Sequence, residues 1–279
     1  MSGNMKGVRE TATILDQIVA QKKLEVEAAR RLRVSSSDER VTPSDVRATS
    51  VAAPRLGFAT ALRASRPGRP IIAEIKKASP SAGVIREPFD PEAIARAYES
   101  AGARCISVIT DEKFFRGSLD VLRRVRAVTS LPIIRKDFII DWVQLAEAVE
   151  VGADAALLIA RILDDELMAD LYAAATEMGL DVLIEVHDAP DLERVSKLSP
   201  RPQLIGVNNR DLADFTVSID RTLRLLPLVP PGALLVSESG LSDSTILDAL
   251  LAAGAGAFLI GTSLMKADDP EMMLRRLVG

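Results

Sequence analysis

A repeated strand-and-helix pattern constrains the fold more than any other feature of this sequence. From about residue 70 to the end of the chain, eight short apolar runs each end in a polar or glycine-containing cluster, and a stretch with helical spacing follows. Successive runs start 34, 27, 23, 27, 22, 29 and 24 residues apart, the length of one strand plus one crossover helix. The runs are Ile71–Ala73, Cys105–Ile109, Pro132–Ile134, Ala155–Ala160, Val182–Ile184, Leu204–Val207, Ala233–Val236 and Ala257–Ile260. The pattern predicts an α/β protein with a closed parallel (βα)8 barrel of the TIM type, in which the carboxyl ends of the strands meet at one mouth.

Residues 1–69 do not follow this pattern, and we predict that they form an N-terminal helical extension and connecting loop ahead of a catalytic barrel at residues 70–279. An apolar stripe between residues 13 and 33 indicates one helix. A short second helix is expected over residues 58–64. The serine- and proline-containing stretch from 34 to 51 is typical of a surface loop.

The extension is expected to cover one end of the barrel. If Ile14 and Ile18 lie across the carboxyl ends of the strands, the extension contributes to the ligand site. If they lie across the amino ends, it only closes the opposite end. The sequence leaves both arrangements open.

Charge and cysteine content limit the partners and the compartment. The chain has 35 basic and 39 acidic residues and a net charge of −4, so nucleic acid and anionic membranes are not expected partners. Cys105 is the single cysteine and lies inside the second apolar run, which excludes an intrachain disulfide and favours a reducing cytoplasm. The first residues show no signal-peptide pattern, and no stretch has the roughly 18 to 20 apolar residues of a membrane span. We expect a soluble cytoplasmic protein, a monomer or weak homo-oligomer.

Charged side chains recur at the ends of alternate strands. Glu74 and Lys76 are two residues apart on the first strand and therefore share one face. Lys136, Glu185 and Glu238 follow the third, fifth and seventh strands. Odd strands contribute side chains to the same layers of a barrel, so these five groups are predicted to surround one cavity. The alternative is a buried ion-pair network that only holds the barrel together; because such pairs stabilise poorly, acid–base chemistry is the favoured interpretation.

Small residues after the last two strands indicate an anion site. Ser239 and Gly240 follow strand seven, and Gly261 and Thr262 follow strand eight. In phosphate-binding barrels these two loops hold the anion through backbone N–H groups. The first loop, residues 76–83, adds lysine and serine side chains and is predicted to be a mobile cover, with a disordered linker as the alternative.

Six motifs in order at the strand ends carry a family resemblance. They are Ile72-Ala73-Glu74-Ile75-Lys76 running into Ser79-Pro80-Ser81, Lys136-Asp137-Phe138, Leu183-Ile184-Glu185-Val186-His187, Gly206-Val207-Asn208-Asn209-Arg210-Asp211-Leu212, Ser237-Glu238-Ser239-Gly240 and Phe258-Leu259-Ile260-Gly261. Together they resemble the motifs of the indole-3-glycerol phosphate synthase family, and the resemblance covers essentially the whole chain. It implies ring closure of 1-(2-carboxyphenylamino)-1-deoxyribulose 5-phosphate to indole-3-glycerol phosphate, with loss of carbon dioxide and water and without a metal or organic cofactor.

The resemblance also implies a role for each site residue. Lys136 is similar to the general acid of the family, Glu185 to its general base, and Glu74 to a companion carboxylate that orients the lysines. Lys76 would place substrate anions. Asn208 and Glu238 would fix the sugar hydroxyls or the anilino nitrogen. The phosphate and substrate contacts are implied for Ser79, Ser81, Arg210, Ser239, Gly240, Gly261 and Thr262. The slot for the aromatic ring is implied for Phe115, Phe138, Leu157, Ile159 and Leu212.

Two other functions remain open at this level. A Schiff-base aldolase would use Lys136 or Lys76, but it needs a lysine of lowered pKa, and the nearby glutamates argue against that. A non-catalytic barrel that binds a phosphorylated ligand would not need the full set of acids and bases. His187, the only histidine, is not expected to be catalytic, and the role of Arg116 after Phe115 is undetermined.

Overall fold

The computed structural model describes residues 6–36, 55–211 and 213–279. Eight strands form a closed barrel in which each strand pairs in parallel with the next along the chain and the last pairs with the first. The ten strands, of which β2 and β3 lie outside the barrel, are β1 (Ile71–Ile75), β2 (Ala78–Ser79), β3 (Gly83–Val84), β4 (Cys105–Ile109), β5 (Ile133–Lys136), β6 (Ala155–Ile159), β7 (Asp181–Val186), β8 (Leu204–Asn208), β9 (Leu234–Glu238) and β10 (Ala257–Ile260). The predicted (βα)8 barrel is confirmed, with the third barrel strand extended to include Lys136.

Helices occupy the outside of the barrel and most of the described extension. They are α1 (Ile14–Ser36), α2 (Phe58–Arg63), α3 (Pro91–Ser100), α4 (Leu119–Arg126), α5 (Trp142–Glu150), α6 (Asp165–Glu177), α7 (Ala189–Ser196), α8 (Asp220–Leu225), α9 (Ser244–Ala253), α10 (Thr262–Lys266) and α11 (Pro270–Val278). Seven of them begin after a side chain that accepts a hydrogen bond from the first turn: Asp90, Ser118, Asp141, Asp164, Asp188, Asp243 and Asp269. These caps fix where each helix starts and so limit the length of the loops at the mouth.

The extension covers both ends of the barrel, so the expectation that it covers one end was wrong. Ile14 and Ile18 of α1 lie at the mouth, where they help to line a cavity. The second helix lies at the opposite end, because the amide of Ala59 donates to Asp181 at the start of β7 (2.9 Å). Phe58 is fully buried there, and its carbonyl accepts a hydrogen bond from Cys105 at the start of β4 (3.7 Å).

The two predicted helices of the extension are confirmed, and part of the predicted loop is helical. Helix α1 continues to Ser36, so residues 34–36 of the expected surface loop belong to it. Residues 37–51 lie outside the described part of the chain. Cys105 is buried as a free thiol, as a core residue should be. Across the described residues, no helix combines the length and the apolar character that a membrane crossing requires.

The first loop is an ordered hairpin. Strands β2 and β3 pair antiparallel, with Ala78 opposite Val84 and Ser79 opposite Gly83. Ala78 also donates its amide to the carbonyl of Phe115 in the loop after β4 (3.2 Å). The alternative of a disordered linker was therefore wrong, and the loop is attached to its neighbour at the mouth.

Candidate active site

A cavity of about 380 Å³ opens at the carboxyl ends of the strands. All the site residues predicted from the sequence line it, except Leu212, which lies outside the described residues. These lining residues are Glu74, Lys76, Ser79, Ser81, Phe115, Lys136, Phe138, Leu157, Ile159, Glu185, Asn208, Arg210, Glu238, Ser239, Gly240, Gly261 and Thr262. The barrel thus brings together side chains that are up to 188 positions apart in the chain, from Glu74 to Thr262.

Glu74 and Lys76 form an ion pair at the end of β1. The Lys76 Nζ atom donates to Glu74 Oε1 at 2.6 Å, as expected for two side chains on the same face of a strand. The Glu74 carboxylate lies against Gly261, where any Cβ atom would overlap Oε1. Glycine at position 261 therefore makes room for this carboxylate.

Lys136 lies between two glutamates from alternate strands. Its Nζ atom is 3.3 Å from Glu185 Oε2 and 3.4 Å from Glu238 Oε2. Both carboxylates are buried, while the lysine side chain keeps 16% of its surface exposed, toward the cavity that it lines. The charged groups form the ion pairs of the alternative interpretation, but they also line an open cavity. They can therefore contact a ligand as well as each other.

These charged groups differ in their preferred protonation. Burial acts to lower the pKa of Lys136, but the surrounding glutamates outweigh it and raise that pKa above its ordinary value. Burial acts to raise the pKa of Glu185, but the pKa is lowered overall, and the charge of Lys136 is the largest of the effects that lower it. For Glu238, burial is the largest effect and raises the pKa; together with the charges of Glu185 and Glu74 it outweighs the opposing effect of Lys136. The site therefore combines an ammonium ion, a carboxylate and a carboxyl group that keeps its proton to higher pH, a separation typical of acid–base catalysis.

Strand β8 supports these two glutamates. Asn208 donates from Nδ2 to Glu185 Oε1 at 3.2 Å, and its Oδ1 accepts from the amide of Arg210 at 3.0 Å. Gly206 pairs with Glu185 in the barrel, and a Cβ atom there would overlap Glu238 Oε1. That buried Oε1 atom makes no hydrogen bond to the residues that the structure describes. Gly206 thus leaves space for the Glu238 carboxyl group, and Asn208 fixes the orientation of the Glu185 carboxylate.

The loops after β9 and β10 form the other side of the cavity. Ser239 and Gly240 both have left-handed backbone conformations, with φ values of +69° and +78°. These two residues therefore form a tight turn directly after β9, at the lining of the cavity. Ser263 donates to the carbonyl of Leu241 at 2.9 Å and so connects the two loops. Gly261 and Thr262 line the cavity beside them.

Aromatic and aliphatic side chains form an apolar wall. The rings of Phe115 and Phe138 are 6.0 Å apart between centroids and tilted by 38°. Leu157 and Ile159 of β6 line the same cavity and are also part of the barrel core. Both interpretations of these two residues, core and cavity lining, are therefore correct.

Sequence reasoning missed several lining residues. Phe215, Leu241 and Ser242 lie in irregular loops, where no strand-end position marks them. Leu15 joins Ile14 and Ile18 from α1. The helical stripe could have identified Leu15, since it adjoins Ile14 on the apolar face, whereas Phe215 had no signal beyond its presence in a mouth loop.

Two doubtful residues lie outside the cavity lining. His187 is buried beside the cluster, with Nε2 3.9 Å from Glu185 Oε1, and its pKa is lowered by burial despite the nearby Glu185 carboxylate. Arg116 is exposed and has a left-handed backbone conformation with φ of +53°. Neither is among the residues that line the cavity.

The fold and the mouth cavity together define a (βα)8-barrel enzyme with a charged and partly apolar site at the strand carboxyl ends. The family model for indole-3-glycerol phosphate synthase matches residues 15–277. A protein of that name from Rhizorhabdus wittichii is 51% identical over 234 residues, which cover 83% of this chain and 88% of the relative. The chain belongs to the indole-3-glycerol phosphate synthase family, whose members are carboxy-lyases of tryptophan biosynthesis.

Two solved structures share the fold. Both are mutants of the tryptophan synthase alpha-subunit from the hyperthermophile Pyrococcus furiosus, each 14% identical to this chain. One superposes with a TM-score of 0.55 over 76% of this chain and 97% of that one. The other gives 0.57 over 76% and 99%. At this identity the likeness shows the barrel fold alone.

Proposed function

We propose that this chain closes the indole ring of indole-3-glycerol phosphate with Lys136 as general acid and Glu185 as general base. The observation that carries the proposal is the Lys136 ammonium, 3.3 Å from one carboxylate and 3.4 Å from another at the lining of the cavity. The substrate is 1-(2-carboxyphenylamino)-1-deoxyribulose 5-phosphate. No metal or organic cofactor takes part in the proposed steps.

The first step forms the carbon–carbon bond. Lys136 protonates the C2 carbonyl oxygen of the ribulose chain while the ring carbon that bears the carboxylate attacks C2. The positive charge that results on the ring and the anilino nitrogen is removed when carbon dioxide leaves, because the electron pair of the broken bond restores aromaticity. A lysine can donate at neutral pH only as an ammonium ion, and the raised pKa of Lys136 supports that state.

The second step removes water. The C2 hydroxyl takes another proton from the cluster and leaves as water, while Glu185 accepts a proton from the neighbouring C1. Overall, one carbon dioxide and one water leave, and the bound carboxylate form of the substrate takes up one proton from solvent. The lowered pKa of Glu185 supports its role as the base, because the group is a carboxylate at neutral pH.

The remaining polar residues are proposed to bind the substrate. Glu74 orients the lysines through its ion pair with Lys76. Asn208 and Glu238 fix the sugar hydroxyls or the anilino nitrogen. The phosphate lies on the backbone amides of the last two loops, with help from Lys76 or Ser79. The residues assigned to phosphate and substrate contacts are Ser79, Ser81, Arg210, Ser239, Gly240, Gly261 and Thr262.

An apolar slot is proposed for the aromatic ring of the substrate. Phe115 and Phe138 form it together with Leu157 and Ile159, and their packing around the cavity supports this role. Leu212 is assigned to the same slot from the family resemblance alone. A ring held here would place its carboxylate-bearing carbon near the charged cluster.

We further propose the chain's organisation and setting. Residues 1–69 act as an extension of a catalytic barrel at residues 70–279, since the first barrel strand begins at Ile71. The protein works in the cytoplasm as a monomer or weak homo-oligomer on a small phosphorylated substrate. The free thiol of Cys105 and a net charge of only −4 support this setting and argue against nucleic acid and membrane partners.

Turnover of the proposed substrate tests the function. The purified chain should produce rising indole fluorescence from the anilino-ribulose phosphate. Borohydride treatment in the presence of a ketose phosphate should leave the mass of the protein unchanged, because a raised pKa at Lys136 disfavours a Schiff base. No fluorescence together with a covalent adduct on Lys136 would replace this proposal with an aldolase.

A further inference from the structure

We propose that Lys22 of helix α1 is a positioning residue that holds the two phenylalanine walls of the ring slot in place, through the carboxylates of Asp111 and Asp137. The inference rests on the ring slot proposed above. Lys22 does not line the cavity, and its contribution is to the binding of the aromatic half of the substrate.

Lys22 is a buried lysine between two buried carboxylates. Its side chain is 3% exposed, and its Nζ atom lies 2.8 Å from Asp137 Oδ1 and 3.0 Å from Asp111 Oδ2. Glu25, one turn further along α1, accepts from the same Nζ atom at 2.8 Å. Burial acts to lower the pKa of Lys22, but Asp137 and Asp111 raise it above its ordinary value, so the group stays charged.

Each of these two aspartates fixes one wall of the slot. Asp111 Oδ1 accepts the amides of Phe114 at 2.8 Å and of Phe115 at 3.1 Å. Asp137 Oδ1 accepts the amide of Phe138 at 2.8 Å. Because the Lys22 ammonium contacts both carboxylates, it connects the loop after β4 to the loop after β5 at the point where the two rings face each other.

Asp111 depends on Lys22 more than Asp137 does. Asp137 also accepts from Arg135 at 3.0 Å and from Thr110 at 2.6 Å. Within the described part of the chain, Lys22 is the only ion-pair partner of Asp111, whose side chain is fully buried. Loss of Lys22 would leave the buried Asp111 carboxylate without a counter-charge, an arrangement that favours its movement toward solvent. Movement of Asp111 would release the Phe115 amide and widen the slot.

Lys22 also belongs to helix α1, which contributes apolar side chains to the cavity lining at the mouth of the barrel. Ile14, Leu15 and Ile18 of α1 line the cavity, and Lys22 follows Ile18 by one helical turn on the same face. The ion pair therefore fixes the apolar face of α1 and the two phenylalanines relative to each other. Within the described residues, the ion pairs of Lys22 reach only Glu25, Asp111 and Asp137, none of which lies in the loops after β9 and β10.

The test compares probes for the two halves of the substrate. Lys22→Met should raise the inhibition constant of 2-aminobenzoate, the ring probe, by about tenfold, since small misplacements of binding groups have effects of this size or larger. The inhibition constant of inorganic phosphate should stay within about twofold of that of the unmodified chain. Lys23→Met is the matched control, because Lys23 is on the same helix and has no ion pair with Asp111 or Asp137; it should change neither constant.

A second variant tests the same connection from the barrel side. Asp111→Ala removes the acceptor of the Phe115 amide directly and leaves Lys22 paired with Asp137. It should therefore also weaken the binding of 2-aminobenzoate without weakening that of inorganic phosphate. It carries the test if Lys22→Met does not fold. Lys22→Arg, which keeps the charge, should recover most of the ring affinity that Lys22→Met loses.

Two results would overturn the inference. One is an unchanged inhibition constant for 2-aminobenzoate in folded Lys22→Met or Asp111→Ala protein. The other is an equal loss for both probes, which would indicate a general loss of structure. Failure of the unmodified chain to turn over the anilino-ribulose phosphate would instead remove the proposed function, so the two failures are distinguishable.

Discussion

At the residue scale, the proposed chemistry depends on two glutamates that flank one lysine and differ from each other in pKa. Glu185 accepts an amide hydrogen bond from Asn208 and lies against the Lys136 ammonium, which together stabilise its charge. Glu238 has a buried oxygen above Gly206 without a donor among the residues described. Identical side chains therefore differ in their preferred protonation because their surroundings differ.

Replacing Glu185 tests the base. Glu185→Gln keeps the side-chain shape but cannot accept the proton, so kcat should fall by roughly 10²–10⁴-fold, the usual contribution of an acid–base group. Steady-state turnover measures this loss. Glu193→Gln on the outer helix α7, where the side chain is 72% exposed, is the control. A loss below tenfold would transfer the role of base to Glu74.

Titration of Glu238 should appear in the pH profile. Because its pKa is raised well above 4.5, the group is protonated at acid pH and loses the proton as pH rises through the raised value. The new negative charge lies 3.4 Å from Lys136 and weakens the lysine as an acid, so kcat should decline on the alkaline side. Glu238→Gln should lack this decline; a decline that persists in the variant would contradict the assignment.

At the element scale, the short loops after β9 and β10 bring their backbone close to charged side chains of other strands. The turn after β10 places Gly261 against the Glu74 carboxylate, so the proposed anion site adjoins the ion pair of β1 at this glycine. The loop after β9 has two consecutive left-handed residues, Ser239 and Gly240, which line the same cavity as Gly261. A change in the backbone at Gly261 should therefore also disturb the Glu74 carboxylate.

Two neighbouring substitutions separate backbone from side-chain effects. Gly261→Ala should lower kcat and weaken the binding of inorganic phosphate. The new Cβ atom would overlap Glu74 Oε1 and displace the turn. Thr262→Ala should leave both within about threefold of the unmodified chain, since an amide donor needs no particular side chain. Kinetics and phosphate inhibition measure both. Equal losses in the two variants would contradict an anion site formed by backbone amides alone.

At the scale of the whole molecule, the two ends of the barrel have different tasks. The mouth carries charged groups and the proposed ring slot, whereas the opposite end is closed by Phe58 and Leu62 of α2, both buried in the core. Side chains from one extension pack at both ends. Stability and chemistry should therefore respond to different substitutions.

Phe58→Ala tests this separation. Removing a fully buried phenylalanine should lower the free energy of unfolding by about 3–5 kcal/mol, because a cavity remains, while kcat of the folded fraction stays nearly unchanged. Chemical denaturation and turnover at low temperature measure the two quantities. Met272→Ala, at a residue 67% exposed, should change neither. A large fall in kcat with Phe58→Ala would contradict the division between the ends.

The strand period predicted the barrel and most of the charged cluster, for a physical reason. Glu74, Lys136, Glu185 and Glu238 end alternate strands, and a closed barrel must bring such positions to one layer. A side chain whose partners come from distant parts of the chain has no such strand-end position in the sequence to mark it. Lys22 looks like any solvated lysine on an amphipathic helix until the barrel places two aspartates beside it.

The position of the extension was also beyond the sequence. An apolar stripe indicates that α1 packs against something, but Ile14 and Ile18 could cover either end of the barrel equally well. Only the contacts of Ala59 with Asp181, and of α1 with the mouth, show that both ends are covered. Phe215 was missed because an irregular loop has no period from which to predict a facing side.

The most direct test of the whole account is turnover of the anilino-ribulose phosphate by Lys136→Met, with Lys197→Met, at a side chain 67% exposed, as the control. We predict that Lys136→Met forms no detectable indole product, while its dissociation constant for the substrate stays within about tenfold of that of the unmodified chain, since proton donation rather than binding is lost. Turnover by folded Lys136→Met close to that of the control would contradict the central claim that this ammonium ion drives the ring closure.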